Sequence, residues 1–298
     1  MLNQNNILWS KGFIRNNYSK QNTEKISNKT EIINIINNIN SQTNTPPVIF
    51  IRMGSHKINS DLDIFSNNLN KLNQPCILIT TDGDRLVPSS YNLNTVVKIL
   101  NNKNIIKWLT QNYDKTIIHD KLKHYPIGFD LHTTNWLINN SIQEKINFMI
   151  QIRNNNPTHK RIKYKIFSDS HVTMSHKERE IIYNLIKNNN LFKLSKNKQT
   201  FYDITKIYNT YNFVLSPRGN GLDCHRTWEL FLAGCIVITK TSPLDDMYLK
   251  HNLPVVILNN WTQLNNITQN TLNKWHDEHI VKTDINNIFP KLTYNYWL

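Results

Sequence analysis

Short apolar, β-branched runs alternate with segments of helical periodicity along this chain, and that alternation limits the folds open to it. Strands separated by helices favour a parallel sheet built of βαβ units, so the sequence predicts an α/β fold. The apolar runs that predict strands lie at residues 48–51, 76–80, 104–109, 164–167, 191–194, 213–216, 235–239 and 254–258. The segments with helical periodicity lie at residues 31–40, 61–72, 136–152, 177–187, 199–208, 224–233 and 269–298.

The pattern of strands and helices restarts after Asn154-Asn155-Asn156-Pro157, which makes that segment the best candidate for a linker between two α/β halves. The sequence therefore predicts four parts. They are an Asn-rich helical extension at 1–45, one α/β domain at 46–155, a second at 156–268 and a helical segment at 269–298.

The excess of basic residues is the second bias of the chain. Its 298 residues include 35 Lys and Arg against 21 Asp and Glu, a formal charge of +14. Such a charge favours anionic partners in general, nucleic acid among them. The basic residues concentrate in 151–210 as isolated lysines on predicted helix surfaces, which indicates a solvated face. Asn, Ile and Lys are all encoded by AT-rich codons, and coding bias accounts for much of the excess.

Three further features exclude classes of protein. No apolar run reaches the roughly 18 residues of a membrane-spanning helix. The first residues lack the features of a secretory signal, so we expect a soluble protein of cytoplasmic type. Cys76, Cys224 and Cys235 are odd in number and scattered, which argues against a disulfide framework or a zinc cluster.

The segment 212–246 carries the most chemical information. Of only seven glycines in the chain, three lie here, and Gly219 and Gly221 bracket Asn220 in a loop between a predicted strand and a predicted helix. Such a loop directs backbone N–H groups and a helix N-terminus at an anion. Arg218 and Arg226 supply bidentate donors for phosphate oxygens.

An acid accompanies these cations. Glu229 lies three residues after Arg226 on the same predicted helix face, where a carboxylate can accept hydrogen bonds from two ribose hydroxyls. Each feature also has a structural reading: Gly-x-Gly alone is a weak signal, the Arg–Glu pair suits a helix surface, and Asp223 suits a helix cap. Together they predict a nucleotide-sugar pocket.

The string SPRGNGLDCHRTWELFLAGCIVI, followed by a Ser-Pro-Leu-Asp loop, by LPVVIL and by Trp261, resembles the nucleotide-sugar-binding half of exostosin-like glycosyltransferases. The small members of viruses, bacteria and protists are the most similar. The resemblance implies a GT-B-like fold, two Rossmann-like α/β domains facing a cleft, with 46–155 taking the acceptor and 156–268 the donor.

The same resemblance implies roles for single residues. Arg218 and Arg226 would meet the diphosphate, and Glu229 the ribose. The residues that it places around the same donor are Gly219, Asn220, Gly221, Asp223, His225, Ser242 and Leu244.

Two carboxylates follow a predicted strand of the first half. Asp82 and Asp84 come directly after residues 76–80, and the carboxyl ends of parallel strands are where ligands collect. One of them is a candidate general base for the acceptor hydroxyl, although Asp-Gly is equally a turn signal. An Asp-x-Asp triplet can also bind a divalent metal, which the GT-B reading does not require. His56, after the first strand, is a further candidate for the base.

The sequence therefore predicts an enzyme that transfers a sugar from a nucleoside diphosphate sugar, of UDP or GDP, to a hydroxyl of a glycan or glycoprotein. We expect inversion, no cofactor, no metal requirement and no nucleic-acid partner. Two alternatives stay open: a basic nucleic-acid-binding protein, suggested by runs such as KRIKYKIF, and a catalytically inactive binding protein of the same fold.

Overall fold

The computed structural model describes residues 2–3, 5–12, 29–43, 46–54, 60–131, 141–173 and 175–298. The chain divides into two compact units. The larger unit comprises Met1–Trp9, Gly128–Asn220 and Cys224–Leu298, and the smaller unit comprises Ser10–Ile127 and Gly221–Asp223. The predicted domain boundaries at residues 45, 155 and 268 stay predictions.

A four-stranded parallel sheet of order β1-β2-β3-β4 forms the centre of the smaller unit. Its strands are β1 (Val48–Arg52), β2 (Cys76–Thr81), β3 (Ile105–Thr110) and β4 (Leu122–His124). The helices of this unit are α1 (Lys29–Asn40), α2 (Asp61–Ser66) and α3 (Leu93–Asn101). Strands of this kind are buried on both faces, which is why their sequences read as continuous apolar runs.

The larger unit is built on a five-stranded parallel sheet of order β6-β5-β7-β8-β9. Its strands are β5 (Ile162–Ser168), β6 (Phe192–Leu194), β7 (Tyr211–Leu215), β8 (Ile236–Lys240) and β9 (Val255–Leu258). One core cluster joins all five of these strands to Ile182, Trp261 and Leu272. Two all-parallel sheets confirm the predicted α/β class.

The helices of the larger unit connect and cover this sheet. They are α4 (Ile142–Asn155), α5 (Glu178–Ile186), α6 (Phe201–Tyr208), α7 (His225–Ala233), α8 (Asp245–Lys250), α9 (Gln269–His279) and α10 (Ile285–Ile288). Short 3₁₀ turns fill most of the chain after α9, in the segment 269–298 that the sequence predicts to be helical. Pro290 lies in one of them, and proline cannot donate the backbone hydrogen bond that a continuing helix needs.

Two elements of the smaller unit have no counterpart in the sequence prediction. Strand β4 has only three residues, in a passage rich in turn residues. Helix α3 buries Val96, Ile99 and Leu100 and leaves Leu93 and Val97 exposed, and its apolar residues recur at helical spacing although the sequence prediction does not include it. Among the described residues, no helix has both the length and the apolar character needed to cross a membrane.

Candidate functional site

The strand order of the larger unit creates a topological switch point. Strand β5 lies between β6 and β7, so the chain leaves β5 toward one side of the sheet for β6 and returns to the other side for β7. In open α/β sheets, ligands bind outside the carboxyl ends of the strands at such a point. Asp169 follows β5 directly, and the glycine-containing loop follows β7.

A cavity of about 170 Å³ lies at this point. Helix α7 contributes His225, Arg226 and Glu229 to its wall, and these positions share one helix face. The opposite face of α7 is apolar and buries Trp228, Phe231 and Leu232. The helix stops at Gly234, whose φ of +81° is the left-handed conformation that glycine adopts without strain.

Arg226 is the most constrained side chain of the cavity. Its Nε lies 3.3 Å from Asp169 Oδ1 and donates to the Tyr208 hydroxyl at 3.2 Å. The Tyr208 hydroxyl in turn donates to Asp169 Oδ2 at 2.8 Å. Burial lowers the pKa of Arg226 while Asp169 raises it, and the net pKa lies above the ordinary value. Arg226 therefore keeps its positive charge inside the unit.

One edge of the Arg226 guanidinium has no protein acceptor. Nη1 is buried and has no hydrogen-bond partner within the described ranges. An unmatched buried donor costs about 1–3 kcal/mol, and a charged one more. Nη1 therefore identifies a place where a ligand acceptor would stabilise the protein.

Glu229 also has no hydrogen-bond partner among the described residues. Its carboxylate lines the cavity and, in the part of the chain that the structure describes, accepts no hydrogen bond and forms no ion pair within 4.0 Å. Burial raises the pKa of Glu229, and the charge of Lys145 partly offsets that rise. The carboxylate oxygens are thus available to hydroxyl donors.

Lys145 is a cavity residue that the sequence does not single out. It is 2% exposed, its ammonium donates to the Asp130 carbonyl, and Nζ lies 4.4 Å from the centre of the Phe201 ring. Burial lowers the pKa of Lys145. Lys145, Met149 and Arg153 follow one another at intervals of four along α4, so the spacing alone places this lysine on the buried face.

His225 is held by the backbone. Its Nδ1 lies 2.8 Å from the Gly128 carbonyl oxygen, and a carbonyl can only accept, so Nδ1 carries the proton. In the neutral ring the lone pair then lies on Nε2.

The loop after β7 has its own contacts. The Arg218 guanidinium donates to the Asn220 carbonyl at 2.8 Å, and Arg179 Nε donates to the Arg218 carbonyl at 3.1 Å. Arg179, which the sequence analysis does not single out, is 4% exposed. Arg218, Gly219 and Asn220 lie outside the wall of the cavity, with Arg218 half-buried and Asn220 exposed.

Ser242 and Leu244 form the turn that begins α8. The Ser242 N–H donates to Asp245 Oδ1 at 3.0 Å, and the Leu244 N–H donates to Ser242 Oγ at 3.2 Å. Leu244 is 2% exposed. Neither residue lines the cavity at the switch point.

The structure places Gly221 and Asp223 in the smaller unit. Asp223 Oδ2 accepts from the Ile127 N–H at 2.7 Å, and the Asp223 N–H donates to Asn112 Oδ1 at 2.9 Å. A Cβ on Gly221 would lie 2.8 Å from Asn112 Nδ2. Both residues therefore have structural contacts within the smaller unit. Asp223 is not the N-cap of α7, which is Cys224, and Cys224 makes no side-chain capping bond.

Two of the three candidate bases, Asp82 and Asp84, also belong to the smaller unit. Asp82 has a φ of +61°, and its carboxylate lies 3.7 Å from Lys11 Nζ. Asp84 is half-buried and has no hydrogen bond or ion pair with the described part of the chain. His56 lies outside the described residues. The assignment of a base among these three stays a prediction.

Asp169 and Tyr208 are two further cavity residues that the sequence does not single out. Asp169 stands directly after a predicted strand, the same position that singles out Asp82, so this signal was present in the sequence. No sequence signal identifies Tyr208 as a site residue, because a tyrosine near the end of an amphipathic helix is typical of the hydrophobic core. Within the described ranges, no group of three or more His, Cys, Asp or Glu side chains could hold a metal ion.

Comparisons with known proteins add only resemblances of fold. No family model matches the chain, and no curated protein matches its sequence. Two solved structures of similar fold are an α,α-trehalose-phosphate synthase (UDP-forming) from Burkholderia vietnamiensis and the Escherichia coli trehalose-6-phosphate protein bound with UDP-2-fluoro glucose. The first is 8% identical, with a TM-score of 0.45 over 90% of this chain and 75% of that one. The second is 12% identical, with a TM-score of 0.45 over 86% and 74%.

A third solved structure is WaaG, a glycosyltransferase involved in lipopolysaccharide biosynthesis. It is 8% identical, with a TM-score of 0.30 over 81% of this chain and 96% of that one. At these scores and identities, the function has to be inferred from the residues of the chain itself.

Proposed function

We propose that the chain is a glycosyltransferase that takes a sugar from a nucleoside diphosphate sugar and passes it to a hydroxyl of a glycan or glycoprotein. One observation carries the proposal. At the switch point of a parallel sheet, two side chains of α7 line the same cavity. The Glu229 carboxylate accepts no hydrogen bond from the described residues, and the buried Arg226 guanidinium has one donor, Nη1, without an acceptor among them. An acceptor of hydroxyl hydrogen bonds beside a donor to phosphate matches a nucleotide.

The recognition of the donor follows from these two groups. The two oxygens of Glu229 would accept hydrogen bonds from the two ribose hydroxyls. Arg226 Nη1 would donate to a phosphate oxygen, and the Asp169 contact keeps the guanidinium fixed while it does so. The motif around these residues, which resembles that of exostosin-like enzymes, supports the same assignment.

The cavity accommodates only part of such a donor. Most small-molecule sites have volumes of roughly 300–1,000 Å³, whereas this cavity has about 170 Å³. We assign the rest of the diphosphate, beyond the oxygen that Arg226 contacts, to the adjacent loop, where Arg218 is half-buried and its carbonyl accepts from Arg179. Arginines suit this task because their planar fork matches phosphate oxygens.

The chemistry then needs no redox partner. The acceptor hydroxyl oxygen attacks the anomeric carbon, and the bond from that carbon to the β-phosphate oxygen breaks with its electron pair on the phosphate. The arginines stabilise the negative charge on the departing diphosphate. A carboxylate or a histidine takes the proton of the acceptor, with Asp82, Asp84 or His56 as the proposed base. Attack on the face opposite the leaving group inverts the anomeric configuration.

Calorimetric titration with UDP, GDP and their sugars tests the binding step. We expect Glu229→Gln to weaken binding by about 10- to 100-fold, because a hydrogen bond to a charged group contributes about 1.5–3 kcal/mol. Arg218→Ala should weaken it as well. The matched control is Lys163→Ala, which removes one positive charge from an exposed side chain on β5.

Release of nucleotide from UDP- and GDP-sugars, with and without a glycan acceptor, tests turnover. Binding with no release in either case would assign the chain to the inactive binding proteins instead. The pocket assignment is overturned if no nucleotide binds, or if Glu229→Gln and Lys163→Ala bind alike.

A further inference from the structure

A second cavity, of about 590 Å³, lies at the far end of α7 in the larger unit. Its wall includes Arg153 and Arg161, which are 7% and 6% exposed. Two arginines buried to this degree require an explanation, because unpaired buried charges are costly.

Backbone carbonyls accept hydrogen bonds from some of the donor groups of both guanidinium side chains. Arg153 Nη1 donates to the Phe231 and Leu232 carbonyls at 3.1 and 2.8 Å, and Arg161 Nη1 donates to the Ala233 carbonyl at 2.6 Å. These are the last carbonyls of α7, where the helix dipole is negative. The dipole is equivalent to only about half a negative charge, so most of the two positive charges remains unbalanced.

No carboxylate completes the balance. Within the described ranges, neither arginine has an ion pair within 4.0 Å. Asp284 is the one acidic residue in the cavity wall, and its carboxylate accepts from the Asn286 N–H at 2.8 Å. Burial lowers the pKa of Arg153 to about 10, with a further contribution from the charge of Arg161.

Arg161 also has a donor group without an acceptor. Its Nε donates to the Asn156 carbonyl at 2.8 Å and its Nη1 to Ala233, whereas Nη2 is buried and has no hydrogen-bond partner in the described chain. We propose that this cavity binds a phosphate-bearing small molecule, whose oxygens accept from Arg161 Nη2 and whose charge balances the arginine pair.

The chemistry of the site favours phosphate over a simple halide. A guanidinium edge donates directed hydrogen bonds, which a tetrahedral oxyanion accepts in a fixed geometry. The volume falls in the range of roughly 300–1,000 Å³ that small-molecule sites occupy, so it takes more than inorganic phosphate. The site is separate from the proposed donor pocket, since its wall shares no residue with that cavity.

Thermal unfolding of the whole chain in inorganic phosphate tests the proposal. We expect phosphate above its dissociation constant to raise the melting temperature by about 2–4 °C over potassium chloride of equal ionic strength. Glu229→Gln should keep this rise, because it alters only the donor pocket. Arg161→Lys should lose it, since lysine keeps the charge but lacks the planar Nη2 donor.

A second measurement covers the case in which Arg161→Lys does not fold. In the wild-type chain, phosphate should protect Arg161 from an arginine-specific dicarbonyl reagent, as followed by peptide mass spectrometry. The proposal is overturned if chloride matches phosphate, if Glu229→Gln abolishes the rise, or if phosphate leaves the modification rate of Arg161 unchanged.

Discussion

Arg226 and Asp169 form a partly buried ion pair at the switch point of the larger sheet, with Arg226 Nε 3.3 Å from Asp169 Oδ1 and side chains that are 14% and 13% exposed. The Tyr208 hydroxyl donates to the carboxylate and accepts from the guanidinium, which closes the group of three. Each partner thus fixes the others, and Nη1 is the arginine nitrogen that has no acceptor among the residues that the structure describes.

Asp169→Asn should lower the free energy of unfolding by about 2–4 kcal/mol, because removing one partner leaves the other charge buried and unpaired. Urea unfolding measures the loss. The matched control is Asp277→Asn, whose side chain is 83% exposed and whose replacement should change stability by no more than about 0.5 kcal/mol. Equal effects of the two substitutions would show that the ion pair contributes nothing to the fold.

Most of the fold could be predicted from the sequence because the parallel strands are buried on both faces. Strands β1, β2, β7, β8 and β9 all match apolar runs, to within two residues at either end. The prediction misses α3, although its apolar residues recur at helical spacing. It also misses β4, whose three residues are too few to show a period, so that only the pairing with β3 identifies this strand.

Only those residues of the candidate site that lie on α7 could be predicted from the sequence. His225, Arg226 and Glu229 lie within five consecutive positions, so one helix brings them to one cavity. Lys145 and Asp169 come from distant segments, and only the tertiary fold joins them to α7. Asp223 lies next to the motif in sequence, yet its contacts are with Ile127 and Asn112 of the smaller unit.

The stability of the Glu229→Gln variant should depend on pH in a way that reports the raised pKa. Burial raises the pKa of folded Glu229 above its ordinary 4.5, so above pH 4.5 the folded chain holds this proton more tightly than the unfolded chain. The contribution of Glu229 to stability therefore falls as pH rises from 4.5 toward the folded pKa. Glutamine does not titrate, and the variant should gain stability relative to wild type over this window.

Urea unfolding of both proteins at a series of pH values measures that difference. In the titrations of wild type with nucleotide, affinity should fall as the pH is lowered through the same range, because the carboxylate becomes protonated. A carboxylate that reduces stability yet is needed for binding is typical of a ligand site. A stability difference that does not change with pH would mean that the pKa of Glu229 is not raised.

Two glycines of the motif should respond differently to alanine. A Cβ on Gly221 would lie 2.8 Å from Asn112 Nδ2, and the Asn112 side chain is held by the Asp223 N–H and the Gly83 carbonyl. Among the described residues, the nearest atom that a Cβ on Gly219 would meet is Arg179 Nη2, at 3.8 Å. Gly221→Ala should therefore cost about 1–3 kcal/mol of stability through overpacking, and Gly219→Ala less than about 1 kcal/mol.

The same pair separates folding from phosphate binding. If the backbone at Gly219 approaches the diphosphate, Gly219→Ala should weaken nucleotide binding while the protein stays as stable as wild type. Thermal unfolding and calorimetric titration of both variants measure the two effects. If Gly221→Ala and Gly219→Ala lose the same stability, close packing against Asn112 does not explain the glycine at position 221.

Asp223 gives the sharpest separation of a structural residue from a binding residue. Its carboxylate is 4% exposed and accepts from the Ile127 N–H at 2.7 Å. Asp223→Ala leaves that N–H without an acceptor and should cost about 1–3 kcal/mol, whereas Asp223→Asn keeps an acceptor oxygen and should cost less. Nucleotide affinity of both folded variants should equal that of wild type, because Ile127 and Asn112, which hold Asp223 through hydrogen bonds, do not line the cavity. If Asp223→Asn unfolds like wild type in urea but binds UDP or GDP more weakly, the carboxylate itself reaches the nucleotide and belongs with Glu229 in the binding site.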